Sequence, residues 1–153
     1  IVGGKTRTQS VLAGVREADP KAGLIAVHDG ARPLVSQAVL EKVILRAGEC
    51  GAAAPAVPVK DTVKRAKDGI VSATPERSEL FAVQTPQVFE PSLLKTALVK
   101  ALENGVELTD DCAAVERLGI GVALTEGEYR NIKLTTPEDL AVGEALLSQW
   151  DEG

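Results

Sequence analysis

The sequence has few of the residues that mark metal-bound, secreted or membrane-spanning proteins. It has one histidine, and its two cysteines, Cys50 and Cys112, lie far apart without metal-ligand spacing. Its opening residues, IVGGKTRTQS, resemble neither a signal peptide nor a membrane span. These absences predict a cytoplasmic protein with reduced thiols and no membrane partner.

The chain also lacks linker-like segments, internal repeats and methionine. Hydrophobic residues make up 44% and charged residues 25% of the 153 residues, which is ordinary for a folded globular protein. We therefore predict one domain over residues 1–153. Because a translated protein begins with methionine and this chain opens on Ile1, we expect a segment upstream of it.

A basic excess is missing as well. The formal net charge is -5, whereas a general nucleic-acid surface needs a concentration of positive charge. We expect no nucleic-acid partner, and any phosphate ligand must meet local cations.

Apolar periodicity alternates between the helical and the strand pattern along the chain, which predicts an α/β fold with a mostly parallel sheet. Ser36 and Thr109 are predicted N-caps, Gly48 and Gly119 predicted stops, and Thr136 a cap before Pro137. The predicted helices are 10–18, 36–48, 91–103, 109–119 and 136–150. The predicted strands are 23–29, 52–59, 80–89, 122–127 and 129–135, with 23–29 buried and parallel.

Two segments depart from a regular α/β pattern. Residues 52–59 contain Pro55 and Pro58, which suit an edge or irregular segment better than a central strand. Residues 61–77 contain two short β-prone pieces around Lys67-Asp68-Gly69, which predicts a polar hairpin. Because its faces lack apolar alternation, the hairpin should project and contact a partner subunit.

The stretch 28–32 directly follows a predicted strand, where α/β proteins place their ligands. Asp29 could hold Mg²⁺, Gly30 permits close backbone approach, and Arg32 could grip a phosphate. A capped turn in which Asp29 and Arg32 pair with each other is the alternative. His28 is more typical of a packed, hydrogen-bonded residue than of a catalyst.

Other candidate residues are weak when each is taken alone. Gly3, Gly4 and Ser10 suit a turn and a helix start, and this stretch is no P-loop. Thr85 lies in a loop, Thr109 suits a cap, and Lys133 suits a solvated strand face.

Taken in order, these motifs resemble one family. GGxxRxxSVLAG, VHDGARP, VPVKDTVKR, TPQVF, TDDCAAVE and NIKLTTPEDL resemble the 2-C-methyl-D-erythritol 4-phosphate cytidylyltransferases of non-mevalonate isoprenoid biosynthesis. The resemblance covers nearly the whole chain. It implies a Rossmann-like nucleotidyltransferase domain whose β-hairpin, here residues 61–77, forms a homodimer. It also implies cytoplasmic localisation, or the plastid stroma in a plant.

The resemblance implies cytidylyl transfer from CTP to methylerythritol phosphate with Mg²⁺, and it gives each candidate a role. Asp29 would bind the metal, and Lys133 and Arg32 would act at the reacting phosphorus. The remaining roles are nucleotide binding by Gly3, Gly4, Ser10 and Gly30, and acceptor binding by Thr85, Thr109 and, from the neighbouring subunit, Thr62 and Arg77.

The sequence departs from the family pattern at its front. The glycine-rich basic loop PAAGxGxRM that cradles the triphosphate is missing, so the chain corresponds to the C-terminal two-thirds of the family and is expected to be inactive alone. Lys5 also stands where many relatives are acidic. Two alternatives stay open: a ribitol-5-phosphate cytidylyltransferase, and a fragment that only dimerises.

Overall fold

The computed structural model describes residues 1–149, and Trp150 of the last predicted helix lies outside the described residues. The helices are α1 (Arg7–Glu17), α2 (Gln37–Cys50), α3 (Pro91–Glu103), α4 (Asp111–Glu116) and α5 (Pro137–Ser148). The strands are β1 (Ile25–Val27), β2 (Ala52–Pro58), β3 (Arg65–Lys67), β4 (Ile70–Ala73), β5 (Phe81–Val83), β6 (Gln87–Phe89) and β7 (Ala123–Glu126). The predicted α/β class is confirmed.

The helix ends follow local capping chemistry. Ser36 caps α2 as predicted, with its hydroxyl accepting from the Val39 amide at 3.2 Å. Gly48 is not the stop, because the helix continues to Gly51, whose φ of 82° suits a left-handed C-cap. Thr136 caps α5 through a capping box with Asp139, which confirms the predicted cap.

The predicted N-cap Thr109 is wrong. Asp110 takes this position in α4, and its carboxylate accepts from the Ala113 amide at 2.9 Å. The helix ends at Glu116, and Gly119 lies in the following turn with a φ of 78°. A carboxylate is as good a cap as a hydroxyl, so sequence alone did not separate the two positions.

The main sheet is mixed. Strand β2 pairs in parallel with β7 and antiparallel with β5 and β6, and β6 also pairs antiparallel with β1. Strands β1, β2 and β7 therefore run in one direction, as a mostly parallel sheet requires, while β5 and β6 run against them. Strand β1 is half-exposed and has an antiparallel neighbour, so the prediction of a buried parallel strand at 23–29 is wrong.

Strand β2 is the centre of the sheet, which corrects the prediction of an edge or irregular segment. Its first six residues are buried, and it pairs with strands on both sides. Pro55 fits because the amide and carbonyl of one strand residue point to the same side. The Pro55 carbonyl accepts from the Gln84 amide at 2.8 Å. The nitrogen of Pro55, which has no hydrogen to donate, therefore faces the break between β5 and β6, where no strand partner needs a donor.

Two other predicted strands are also corrected. Residues 80–89 form two strands, β5 and β6, separated by a break at residues 84–86. Residues 129–135 form no strand, because their polar groups bond to loops: the Leu134 amide donates to the Ala31 carbonyl at 2.8 Å.

Residues 61–77, called the arm from here on, contain the predicted hairpin. Strands β3 and β4 pair with each other alone, and all their residues are exposed. The turn at Asp68 and Gly69 has positive φ angles of 51° and 77°, as a tight hairpin turn requires. The arm therefore stands apart from the core.

The apolar core lies between the main sheet and the helices. Its largest cluster joins α1, α3, α4 and the sheet through Leu12, Phe89, Leu94, Leu98 and Val115, each at most 4% exposed. A second cluster packs Val43 and Ala47 of α2 against Ala53 and Val88 on the other face. Burial on both faces explains why β2 consists entirely of alanine, proline and valine.

Candidate active site

A polar cleft of about 200 Å³ lies where five segments of the chain meet. It contains five residues that the sequence singled out: Asp29, Arg32, Thr85, Thr109 and Lys133. Its other lining residues are Arg7, Val83, Gln87 and Asp110. Residues from positions 7 to 133 are thus brought to one place by the fold.

The loop after β1 is fixed to the sheet by a chain of hydrogen bonds through Thr85. His28 Nε2 lies 3.0 Å from the Arg32 carbonyl, and its Nδ1 lies 2.9 Å from Thr85 Oγ1. Because a carbonyl only accepts, Nε2 carries the proton and Nδ1 accepts from the hydroxyl. Thr85 Oγ1 in turn accepts from the Asp29 amide at 3.1 Å. His28 is hydrogen-bonded as predicted, but it is exposed rather than packed. Its contacts orient the loop.

The charges in the cleft are concentrated around Asp29. Lys133 Nζ lies 3.0 Å from Asp29 Oδ2, and Arg32 Nε lies 3.7 Å from the same oxygen. Partial burial opposes ionisation of Asp29, but the hydrogen bond and charge of Lys133, aided by Arg32, hold its pKa below the usual range. The predicted alternative pairing of Asp29 with Arg32 is present, yet Lys133 is the nearer partner.

A second ion pair, which was not predicted from the sequence, borders the cleft. Arg7 donates to both carboxylate oxygens of Asp111, with Nη1 to Oδ1 at 3.0 Å and Nη2 to Oδ2 at 2.6 Å. Asp111 is fully buried, and this desolvation raises its pKa although Arg7 opposes the change. Arg7 occurs in the GGxxRxxSVLAG motif, which was the only available signal.

The predicted nucleotide-binding residues lie outside the lining of this cleft. Ser10 Oγ accepts from the Gly4 amide at 3.0 Å, which fixes the chain before α1. A Cβ at Gly4 would lie 2.3 Å from Gln9 Cβ, so this turn requires glycine. Gly30 is exposed, and a Cβ there would meet nothing within 4 Å. The chain's own packing therefore does not explain the glycine at position 30.

The predicted acceptor-site residues fall into two groups. Thr85 and Thr109 line the cleft, whereas Thr62 and Arg77 lie on the exposed arm outside its lining. Arg77 Nη1 donates to the Lys60 carbonyl at 3.2 Å, close to the base of the arm. One subunit alone therefore does not bring these two groups into one lining.

Residues 1–149 contain no group of three or more His, Cys, Asp or Glu side chains that could hold a metal ion. Mg²⁺ needs less from the protein, because it is commonly held by one or two carboxylates together with substrate phosphates. Asp29 is anionic and partly exposed, and both of its ion pairs use Oδ2. This single carboxylate fits a metal that arrives with a phosphate ligand.

No helix within the described residues is both long and apolar enough to span a bilayer.

Comparison with known proteins identifies the family. Residues 1–149 match the family model described as IspD: 2-C-methyl-D-erythritol 4-phosphate cytidylyltransferase. Curated proteins with that name are similar to the chain. The one from Bacillus licheniformis is 50% identical over 96% of this chain, and the one from Desulforamulus reducens is 51% identical over 97%. The chain spans 63% and 64% of the lengths of these two relatives.

Solved structures support the same assignment. The cytidylyltransferase from Thermus thermophilus superposes with a TM-score of 0.87 at 39% identity, covering 97% of this chain and 72% of its own. The 4-diphosphocytidyl-2C-methyl-D-erythritol synthase from Anaerococcus prevotii gives a TM-score of 0.90 at 35% identity, covering 97% of this chain and 66% of its own. The matched motifs, the fold and the sequence identity agree, and the chain belongs to the 2-C-methyl-D-erythritol 4-phosphate cytidylyltransferase family.

Proposed function

We propose that this protein transfers a cytidylyl group from CTP to 2-C-methyl-D-erythritol 4-phosphate and releases pyrophosphate. The observation that carries this proposal is the convergence of Asp29, Arg32, Thr85, Thr109 and Lys133 on one polar cleft. Family membership supports the same reaction. A module that only dimerises would not need this arrangement of charges.

The transfer requires positioning and charge stabilisation rather than a covalent enzyme intermediate. An oxygen of the acceptor phosphate attacks the α-phosphorus of CTP in line, and the bond to the leaving pyrophosphate breaks. Lys133 and Arg32 offset the negative charge that builds on the phosphoryl oxygens. Their cationic groups are held close together at Asp29 before substrate arrives, so little reorganisation is needed.

Asp29 is the residue that would hold Mg²⁺ in this cleft. When bound, the ion would neutralise phosphate charge and orient the triphosphate. Asp29 supplies an anionic oxygen for this purpose because Lys133 and Arg32 keep its pKa low. Its backbone is fixed by Thr85, which limits movement of the carboxylate relative to Lys133.

The remaining predicted residues complete the proposed site. Gly3, Gly4, Ser10 and the Gly30 backbone contact the nucleotide, while Thr85 and Thr109 contact the acceptor phosphate. Thr62 and Arg77 reach the acceptor of a second subunit, because the arm is exposed and Arg77 lies outside the cleft of its own chain. This proposal requires a homodimer.

The names of the family model and of the curated relatives favour methylerythritol phosphate over ribitol 5-phosphate as acceptor. The test is pyrophosphate release by the protein encoded by the complete gene, with CTP, Mg²⁺ and each polyol phosphate in turn. A higher kcat/KM with methylerythritol phosphate is expected. Preference for ribitol 5-phosphate would reassign the acceptor, and no release with either would overturn the proposed activity.

We place this reaction in the cytoplasm. The water-soluble, highly charged substrates support this location, and cell fractionation with activity assays would test it.

A further inference from the structure

Two buried amide side chains lie beside the cleft but outside the set of residues proposed for catalysis and binding. Gln84 is 6% exposed and Asn131 is 0% exposed, and neither lines the cleft. A buried amide needs hydrogen-bond partners, because leaving its polar atoms unpaired is costly. The partners of these two side chains show what they hold together.

Gln84 links the irregular segment 128–131 to the break between β5 and β6 by hydrogen bonds. Its Nε2 donates to the Glu128 carbonyl at 2.7 Å, and its Oε1 accepts from the Glu128 amide at 3.3 Å. Asn131 Nδ2 donates to the same Oε1 at 3.3 Å and to the Thr85 carbonyl at 3.0 Å. These side-chain hydrogen bonds hold the segment against the sheet, as backbone hydrogen bonds would hold a strand.

The same junction connects to the charged groups of the cleft. The Asn131 carbonyl accepts from Arg32 Nη1 at 2.6 Å, and Lys133 follows two residues later along the chain. Thr85, whose carbonyl Asn131 holds, also accepts from the Asp29 amide through its hydroxyl. A shift of Asn131 would therefore move Arg32 and Lys133 relative to Asp29.

We infer that Gln84 and Asn131 are positioning residues that set the distances between Lys133, Arg32 and Asp29 for the proposed transfer. This inference rests on the proposed function. A displacement of about 1 Å at a site of this kind can lower the rate about 100-fold. The role is distinct from catalysis, since neither side chain lines the cleft where the substrates would react.

The first test is Asn131→Ala in the protein encoded by the complete gene. This change removes the donor to Thr85 and Gln84 without adding a charge. We expect kcat per folded molecule to fall about 10- to 100-fold, with KM for CTP within about twofold of the wild-type value. The folded fraction is measured by circular dichroism.

The second test is Gln84→Glu, which has the same shape. The ionised carboxylate has lost the donor and places an oxygen against the Glu128 carbonyl, whereas the protonated acid restores an O–H donor. Burial favours the protonated form, so the ratio of variant to wild-type kcat should rise as the pH falls from about 8 to about 6. A purely structural role would leave this ratio per folded molecule unchanged.

Val43→Ala is the control, because Val43 is fully buried in α2 and contacts the second core cluster. It should lower Tm without changing kcat per folded molecule. Full kcat in both amide variants, a ratio that does not change with pH, or failure of both variants to fold where Val43→Ala folds would overturn the inference. Inactive wild-type protein would overturn the proposed function and the inference with it, whereas active wild type with equally active variants overturns only the positioning role.

Discussion

At the scale of single residues, the ion pair between Lys133 and Asp29 is the feature on which the proposed binding of anionic substrates depends. Without substrate, Lys133 keeps the partly buried Asp29 carboxylate ionised, and the distance between Nζ and Oδ2 is 3.0 Å. When a phosphate arrives, the ammonium can bind its oxygens while the carboxylate accepts a cation. Preorganised charges of this kind cost little reorganisation during the reaction.

Lys133→Ala should lower kcat more than it weakens CTP binding, because the ammonium matters most as charge builds at phosphorus. We expect a fall in kcat of about 100-fold, measured as pyrophosphate release at saturating substrates. Lys42→Ala is the matched control: its side chain is 52% exposed against 47% for Lys133, and it also pairs with a carboxylate. It should leave kcat unchanged. A rise in KM alone would make Lys133 a uniform binding residue.

Asp29→Asn should abolish most turnover while leaving the fold intact. The Thr85 contact uses the Asp29 backbone amide and survives the change, but the side-chain amide is a poor ligand for Mg²⁺. Because the pKa of Asp29 lies below its ordinary value of 3.8, its pairing with Lys133 is present at neutral pH and is lost only as acid protonates it. Full activity at saturating Mg²⁺ would contradict the assignment, and Asp19→Asn in an exposed turn provides the control.

Sequence could identify the loop residues of the candidate site but not the buried residues that support them. Asp29 and Arg32 stand in a loop after a strand, where polar residues have few structural reasons to occur. Gln84 and Asn131 are 47 positions apart, and Arg7 and Asp111 are 104 apart, so only the fold shows that they pair. Buried amides also resemble ordinary loop residues in sequence, because nothing local indicates their burial.

At the scale of elements, the arm shows the sequence prediction at its most reliable. A hairpin depends on a turn between adjacent strands, and Asp68-Gly69 supplies that turn locally. Strand β2 shows the opposite case. Its prolines indicated an edge, whereas the interruption of the neighbouring strand at Gln84 accommodates Pro55 in the centre of the sheet. A local pattern does not contain information about a gap in a distant strand.

The arm should act on the site of a partner subunit. Two strands that pair only with each other and are fully exposed are marginal alone, and Arg77 lies outside the cleft of its own chain. Mixed dimers of one Arg77→Ala subunit and one Lys133→Ala subunit should have about half of wild-type activity when purified, because each keeps one intact site of two. The unfractionated random mixture, in which about half of the dimers are mixed, should have about a quarter. The assay is pyrophosphate release after co-expression with two affinity tags. Purified mixed dimers that stay inactive would place the arm's action within its own subunit.

At the scale of the whole molecule, alternation of periodicities was enough to predict an α/β fold, because each element reports its own burial pattern. The strand order was beyond that information. Strand β6 lies between β1 and β2 although it is far from both in sequence, and its pairing is antiparallel. The order depends on which apolar faces pack best together, which is a property of the assembled core.

The surface of the single subunit predicts that its stability depends on protein concentration. Ile70 and Val71 of the arm are 74% and 55% exposed, and Phe81 beside the arm's base is 45% exposed. A dimer that covers such side chains stabilises the folded state by mass action, so Tm should rise with concentration across about a 100-fold range. Ile70→Ser should reduce this rise and weaken dimers in sedimentation experiments, whereas Leu45→Ser on α2, where leucine is 70% exposed, should change neither. If Tm is independent of concentration and the protein sediments as a monomer, the predicted dimer is wrong. The role proposed for Arg77 across the interface is then wrong as well.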